Sequence, residues 1–95
     1  MRAMKLALNS ISIEDLVGDL KSLEEAIGGT VEAVSLKDGG VMIVNKRGMF
    51  KQYPHNDLAS YISERHIYGT ALIVGMDLSG HFCDVPEHYY VWLGN

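Results

Sequence analysis

The stretch Thr70-Ala71-Leu72-Ile73-Val74 lies between Gly69 and Gly75 and is apolar from its second residue to its last. A continuous apolar run of this length is typical of a β-strand that is buried on both faces. It therefore predicts an interior strand of a sheet that other elements cover.

The residues upstream of this run predict a β-hairpin. Thr30–Leu36 has the alternating pattern of a strand, and Val41–Asn45 is nearly all apolar and rich in β-branched side chains. The connecting Lys37-Asp38-Gly39-Gly40 supplies residues that adopt the positive φ angles of a hairpin turn. Met49–Tyr53 predicts a third strand in this region, and Pro54 ends it.

The N-terminal region predicts a short edge strand, Lys5–Leu8, followed by one long helix. Ser12 is a candidate N-cap, and Gly28-Gly29 supplies a left-handed stop. Between them the apolar residues recur at spacings of three and four, which predicts a helix of about four turns with Gly18 in its interior. This apolar stripe consists of Ile13, Leu16, Val17, Leu20, Leu23 and Ile27.

Two shorter helices are predicted downstream. Asn56 is a candidate cap for a helix through Ile62, and Asp84-Val85-Pro86-Glu87 resembles a capping box that opens a helix through Leu93, where Gly94 stops it. The predicted order is β-α-β-β-β-α-β-β-α. It indicates an α+β domain with a mostly antiparallel sheet of about four to five strands, covered by the long N-terminal helix and the shorter helices.

Length and composition exclude several classes of protein. The 95 residues fit a single domain. We assign Met1–Ala3 no structural weight, because Met4 is a second candidate start and such leading residues are typical of a cloning remnant. A formal net charge of −4 argues against a nucleic-acid-binding protein. No apolar run reaches the length of a membrane span. One cysteine excludes an internal disulfide framework and favours the cytoplasm.

The residues that could carry metal or thiol chemistry are His81, Cys83 and His88, with Asp84 as a candidate fourth ligand. Their spacing matches no standard zinc pattern, and a surface histidine, a buried cysteine and a histidine on a helix account for the same residues. Cys83 as a nucleophile lacks any accompanying sequence signature. The glycines form neither a phosphate loop nor a dinucleotide fingerprint. We therefore expect no metal, no cofactor and no catalytic site.

Two stretches are candidates for binding. His88–Leu93 is unusually aromatic, and Tyr89, Tyr90 and Trp92 have the amphipathic rings that serve as anchors in protein interfaces, although the same pattern fits a helix that packs in the core. Lys46, Arg47, Lys51 and Tyr53 form a candidate anion-binding edge for a nucleotide or phosphate. A solvated turn with a charged edge strand explains those four residues equally.

Four segments follow one another along the chain: Leu23-x2-Ala26-Ile27-Gly28-Gly29-x-Val31-Glu32-Ala33-Val34, then Ile43-Val44-Asn45-x2-Gly48, then Pro54-x-Asn56, then Tyr68-Gly69-Thr70-Ala71-Leu72-Ile73-Val74-Gly75. Taken in this order, they resemble the domain of unknown function 3846 family, whose members are small uncharacterised phage and mobile-element proteins. The likeness covers about residues 20–85. The sequence departs from that family pattern at two places. It looks short of a strand pair before the first helix, and after Pro54 it predicts a helix where the family pattern has an acidic loop.

The resemblance implies a setting among phage or mobile-element genes but no catalytic residues. We accordingly expect a small non-enzymatic binding protein that inhibits a host or anti-phage defence component by stoichiometric contact, with a homodimer as an open possibility. The alternative is a nucleotide or phosphate binder that acts as an oligomer. A zinc-dependent or thiol enzyme is the third class.

Overall fold

The computed structural model describes residues 1–94. Its centre is one antiparallel sheet, in which five strands follow the order β2-β1-β5-β4-β3 and the short β6 pairs with the end of β5. The strands are β1 (Arg2–Leu6), β2 (Ile11–Asp15), β3 (Val31–Ser35), β4 (Val41–Asn45), β5 (Ala71–Met76) and β6 (Phe82–Cys83).

Helices cover both faces of the sheet. Helix α1 (Leu20–Ile27) packs on one face, while α2 (Asp57–Ser63) and a 3-10 helix (Glu87–Leu93) pack on the other. Among the helices of residues 1–94, none has the length and apolar character needed to cross a bilayer. The predicted α+β architecture with a mostly antiparallel sheet is confirmed.

The central strand is the one that the apolar run predicts. Ala71 to Val74 have no exposed surface, and their side chains alternate between the two sides of the sheet. Ala71 and Ile73 join the core beneath α2, whereas Leu72 and Val74 join the core beneath α1. Burial on both faces is therefore confirmed.

The predicted hairpin is also present. β3 pairs with β4 from Val31 opposite Asn45 to Ser35 opposite Val41. The turn closes through a bond from the Leu36 N–H to the Gly40 carbonyl at 2.9 Å. Gly39 has a φ of 91°, which is the left-handed backbone that a turn glycine provides.

The predicted long N-terminal helix is wrong. Ile11–Asp15 is a strand, and the helix begins only at Leu20, with the Asp19 carboxylate rather than Ser12 accepting from the Ser22 N–H at 2.8 Å. Gly18, expected inside the helix, has a φ of 88° and lies in the connection between β2 and α1. The strand pair that the sequence seemed to lack before the helix is therefore the hairpin of β1 and β2.

The first three residues, which were given no structural weight, also belong to the fold. Arg2 and Ala3 lie in β1, where Ala3 is fully buried. The Met1 amino group donates to the Asp15 carboxylate at 3.0 Å and to the Leu16 carbonyl at 2.8 Å. The N-terminus is thus fastened to the end of β2.

Two other predicted elements differ in kind. Residues 46–52 form turns instead of a strand over Met49–Tyr53, and the Lys51 N–H bonds to the Arg47 carbonyl at 2.9 Å. The last helix is 3-10 rather than α and has no side-chain cap. The expected capping residue, Asp84, instead accepts from the Arg2 N–H at 2.8 Å, and this bond lowers the pKa of the Asp84 carboxyl.

Candidate functional site

Helix α2 is held in place by one buried side chain, Asn56. Its Oδ1 accepts from the Ala59 N–H at 3.1 Å, which confirms the predicted N-cap. Its Nδ2 donates to the Leu6 carbonyl at 2.9 Å and to the Gly69 carbonyl at 2.8 Å. Asn56 thereby ties the start of α2 to the end of β1 and to the segment before β5.

One flank of α2 borders a cavity of about 590 Å³, which we call the aromatic groove. Two aromatic rings stand at its edge: Tyr61 is 72% exposed, and its ring meets that of Trp92 edge-to-face with centroids 5.9 Å apart. The groove is lined by Leu36, Lys37, Asp38, Ser60, Tyr61, Ile62, Glu64, Tyr89 and Trp92. The exposed Tyr61 ring and the half-buried Trp92 ring at this edge suit the insertion of an apolar side chain.

Two of the residues that line the aromatic groove, Lys37 and Glu64, form an ion pair. Lys37 Nζ lies 2.6 Å from Glu64 Oε2, and the hydrogen bond to that carboxylate raises the pKa of Lys37. Both side chains are mostly exposed, so the pair contributes little to stability. It does connect the β3–β4 turn to the end of α2, and it leaves Asp38 as the carboxylate at the groove without a salt bridge within residues 1–94.

The three aromatic residues of the predicted partner-binding face have different positions. Tyr89 is only 3% exposed and packs over Gly40, where an added Cβ would come within 2.7 Å of its ring. Its ring is therefore part of the floor of the groove and not an exposed anchor. Tyr90 and Trp92 are half-buried against the same core, and Trp92 reaches the groove.

Burial also affects the Tyr89 phenol itself. The Tyr89 hydroxyl lies beside Gly40 without a hydrogen bond of acceptable geometry within residues 1–94. Removal from water raises the pKa of Tyr89 above the ordinary tyrosine value, because the charged phenolate is the form that burial disfavours.

The four residues of the predicted anion-binding edge do not share one cleft. Lys51 Nζ lies 3.4 Å from the Gly28 carbonyl at the end of α1 and 5.9 Å from the centre of the Tyr53 ring. Lys46 instead lines a cleft of about 240 Å³ on the α2 side of the sheet. Arg47 is exposed in the turn between them.

The histidines near Cys83 have separate surroundings. His81 Nδ1 lies 3.9 Å from Asp77, and the His88 ring packs against the Tyr89 ring with centroids 4.3 Å apart. Cys83 is half-buried in β6. Over the described part of the chain, residues 1–94, no three His, Cys, Asp or Glu side chains converge as a metal-binding group.

A group on the other flank of α2 was not found from the sequence. His55 Nδ1 lies 2.7 Å from Asp57 Oδ1, while His55 Nε2 lies 3.1 Å from Ser60 Oγ and 3.4 Å from His66 Nδ1. We call His55, Asp57, Ser60 and His66 the histidine cluster. Only the short His55-x-Asp57 spacing is visible in the sequence.

The histidine cluster is assembled by the chain segments on either side of α2. An antiparallel bridge pairs His55 with Tyr68, and the Asn56 N–H donates to the Ile67 carbonyl at 2.8 Å. The Tyr68 ring meets the His55 ring edge-to-face, with centroids 5.4 Å apart. This pairing brings His66 beside His55.

A family model described as a domain of unknown function, DUF3846, matches residues 1–93. The chain belongs to the DUF3846 family. The resemblance inferred from the four sequence segments is thereby confirmed, and the match extends over the β1–β2 hairpin as well. Comparison with curated proteins and with solved structures found no match. Membership in the DUF3846 family assigns no function to any residue of the site.

In this DUF3846 chain, Asp57, His55 and Ser60 follow the order carboxylate, imidazole, hydroxyl that nucleophilic catalysis uses. Two contacts argue for a structural hydroxyl instead. Ser60 Oγ accepts the Ile67 N–H at 2.9 Å, which fastens α2 to the following segment. The Asp57 side chain is 96% exposed, so water surrounds its carboxylate and weakens the electrostatic interaction with His55, which would be stronger in a buried site.

Proposed function

We propose that this protein is a non-enzymatic binding protein that inhibits a host or anti-phage defence component by stoichiometric contact in the cytoplasm. The proposal of a binding role rests on the aromatic groove, where the exposed Tyr61 ring contacts Trp92 at the edge. The phage or mobile-element setting rests on the family resemblance alone.

The chemistry of the aromatic groove defines the partner surface that it fits. Leu36, Ile62 and the Tyr89 ring offer apolar contacts, and Asp38 offers a carboxylate without a salt bridge within residues 1–94. The complementary surface is a loop or extended segment that inserts one apolar or aromatic side chain and places a basic side chain beside Asp38. Buried aromatic anchors of this kind carry most of the energy in protein interfaces.

The test compares Trp92→Ala and Tyr61→Ala with Phe50→Ala. Phe50 is 85% exposed and does not line the groove, so it controls for the loss of a surface aromatic ring. The tagged proteins are used to capture partners from a host lysate, and any captured partner is then purified and titrated. We expect each groove variant to weaken binding about 30-fold, which corresponds to a loss of about 2 kcal/mol at a central anchor. Capture and affinity that are the same for all three variants would contradict the proposal.

A second candidate function is a small-anion binder, acting as an oligomer, at the cleft that Lys46 lines. His66 and the backbone around Gly48 also border that cleft, whereas Arg47, Lys51 and Tyr53 do not. A thermal shift panel of nucleotides and inorganic phosphate tests this function, with Lys46→Ala compared with Arg47→Ala. A ligand at 100 times its Kd stabilises the folded state by about 2.7 kcal/mol. A flat panel, or a shift that both variants lose equally, rejects this site.

A further inference from the structure

In the histidine cluster, one ring nitrogen of His55 lies close to one ring nitrogen of His66. His55 Nε2 and His66 Nδ1 are 3.4 Å apart, which is longer than the usual range of about 2.7–3.2 Å for a hydrogen bond to nitrogen donors. Two imidazole nitrogens that each lie about 2.0–2.1 Å from one tetrahedral zinc ion are separated by roughly 3.3 Å. The observed separation is close to the spacing that a shared metal ion requires.

Asp57 places the proton of His55 on the opposite side of the ring. Its carboxylate lies 2.7 Å from Nδ1 and accepts the N–H there, which leaves the lone pair of Nε2 directed toward His66. Histidines that bind metals usually donate their other ring N–H to a carboxylate in this way, and the pairing fixes the ring and makes the nitrogen a better ligand. The edge-on Tyr68 ring adds a second constraint on the His55 ring.

The site is open to solvent and its nearby charges favour a cation. Both histidines border a shallow cleft of about 360 Å³ together with Asp57, Glu64 and Arg65. Arg65 Nη2 lies 3.9 Å from a Glu32 carboxylate oxygen, so its positive charge is partly balanced. The Asp57 carboxylate accepts from His55 Nδ1, and its negative charge lies next to the ring that would hold the ion.

We propose that His55 and His66 bind one divalent transition-metal ion of the kind that prefers imidazole, represented by Zn²⁺, with Asp57 as the carboxylate that positions His55. The chain supplies two ligands, in keeping with the lack of any three-residue metal group within residues 1–94, and water fills the remaining positions. On metal binding, the Ser60 hydroxyl turns from His55 to the Ile67 carbonyl, which lies 3.4 Å away. This site is independent of the aromatic groove.

The experiment is a calorimetric titration of the metal-free full chain with zinc chloride. The chain has four histidines, so His81→Ala and His88→Ala are matched controls for His55→Ala and His66→Ala. We expect one Zn²⁺ per chain, with affinity reduced at least about ten-fold in His55→Ala and His66→Ala and about 10–100-fold in Asp57→Asn. The two control variants keep the parent affinity. Far-UV circular dichroism establishes that every variant is folded.

Nitrogen-detected NMR of the imidazole rings gives a second readout that does not depend on the variants. Zinc should move the ring nitrogen resonances of His55 and His66 and leave those of His81 and His88 in place. The proposal is overturned by an absence of binding at millimolar zinc, by equal losses in the control variants, or by one ion per two chains with dimer formation.

Discussion

Replacing Asn56 tests how α2 is joined to the sheet. Asn56 is 3% exposed and makes three hydrogen bonds, one to the Ala59 N–H and two to the carbonyls of Leu6 and Gly69. Asn56→Ala removes the helix cap and leaves two buried carbonyl groups without this donor. We expect α2, and with it the histidine cluster, to lose its attachment to β1.

The magnitude follows from those contacts. Losing an N-cap costs about 1 kcal/mol, and each of the two unpaired buried acceptors costs about 1–3 kcal/mol, so Asn56→Ala should destabilise the protein by roughly 3–7 kcal/mol. At about 0.05–0.15 kcal/mol per residue, a domain of 95 residues has a free energy of unfolding of roughly 5–14 kcal/mol. The Asn56 side chain therefore contributes a large share of the free energy of unfolding.

Urea unfolding followed by circular dichroism measures this loss. Asn45→Ala is the matched control, because Asn45 is also buried but its Oδ1 accepts only the Arg47 N–H and its Nδ2 has no partner within residues 1–94. We expect that variant to lose about 1 kcal/mol. If Asn56→Ala costs no more than Asn45→Ala, the reasoning about the Asn56 bonds is wrong.

Asn56→Asp gives a pH-dependent form of the same test. The substitution points a carboxylate oxygen at two carbonyls, so the pKa of the new buried carboxyl should be raised. A raised pKa in the folded state means that stability is lost as the pH rises through that value. Asn56→Asp should therefore be less stable at pH 7 than at pH 4, relative to the parent protein.

Two further changes test the core and the N-terminus. Tyr89→Phe should leave the free energy of unfolding at pH 7 unchanged or raise it by about 1–3 kcal/mol, because it removes a buried hydroxyl that has no hydrogen-bond partner within residues 1–94; a loss of about 1 kcal/mol or more would mean that the hydroxyl has one. The raised pKa of Tyr89 means that the parent loses stability as the pH rises through the folded-state value, and Tyr89→Phe should remove that loss in alkaline urea titrations. Removing Met1–Ala3 takes away two of the five residues of β1 and should lower the Tm by roughly 10 °C or more in calorimetry, whereas an unchanged Tm would show that these residues are dispensable.

Sequence patterns predicted the parts of the fold that local chemistry determines. The apolar runs of β4 and β5 are short, rich in β-branched residues and flanked by glycine, which favours buried strands. Gly28 ends α1 with the expected left-handed backbone at a φ of 89°. Asn56 acts as the expected cap because its side chain satisfies an N–H of the first helical turn. Each of these features depends on a few adjacent residues.

The N-terminal error has a definite cause. Ile11 and Ile13 alternate as strand residues, but Ile13, Leu16 and Leu20 are also spaced as on one face of a helix. Pairing of Met4 with Ile13 across the hairpin decides for the strand, and the periodicity of residues 11–27 taken alone does not report that pairing. Gly18 was the local sign that the predicted helix is interrupted between Asp15 and Leu20.

The histidine cluster shows a different limit. His55 and His66 lie eleven positions apart with α2 between them, and the bridge from His55 to Tyr68 brings the two rings together. No periodicity in the sequence reports that pairing. The aromatic groove is similar, since Tyr61 and Trp92 come from α2 and the 3-10 helix. Such sites depend on tertiary contacts between elements whose own identity was predictable.

The position of β5 has a consequence for how the protein folds. The β1–β2 and β3–β4 hairpins are each closed by neighbouring residues, but they meet only through β5, which lies between β1 and β4 and follows both hairpins in the chain. Because contacts between distant segments form slowly, we expect insertion of β5 to limit the folding rate. Until that step, an apolar segment with two unpaired edges is exposed to other chains, so a newly synthesised protein is most prone to aggregation just before its sheet is completed.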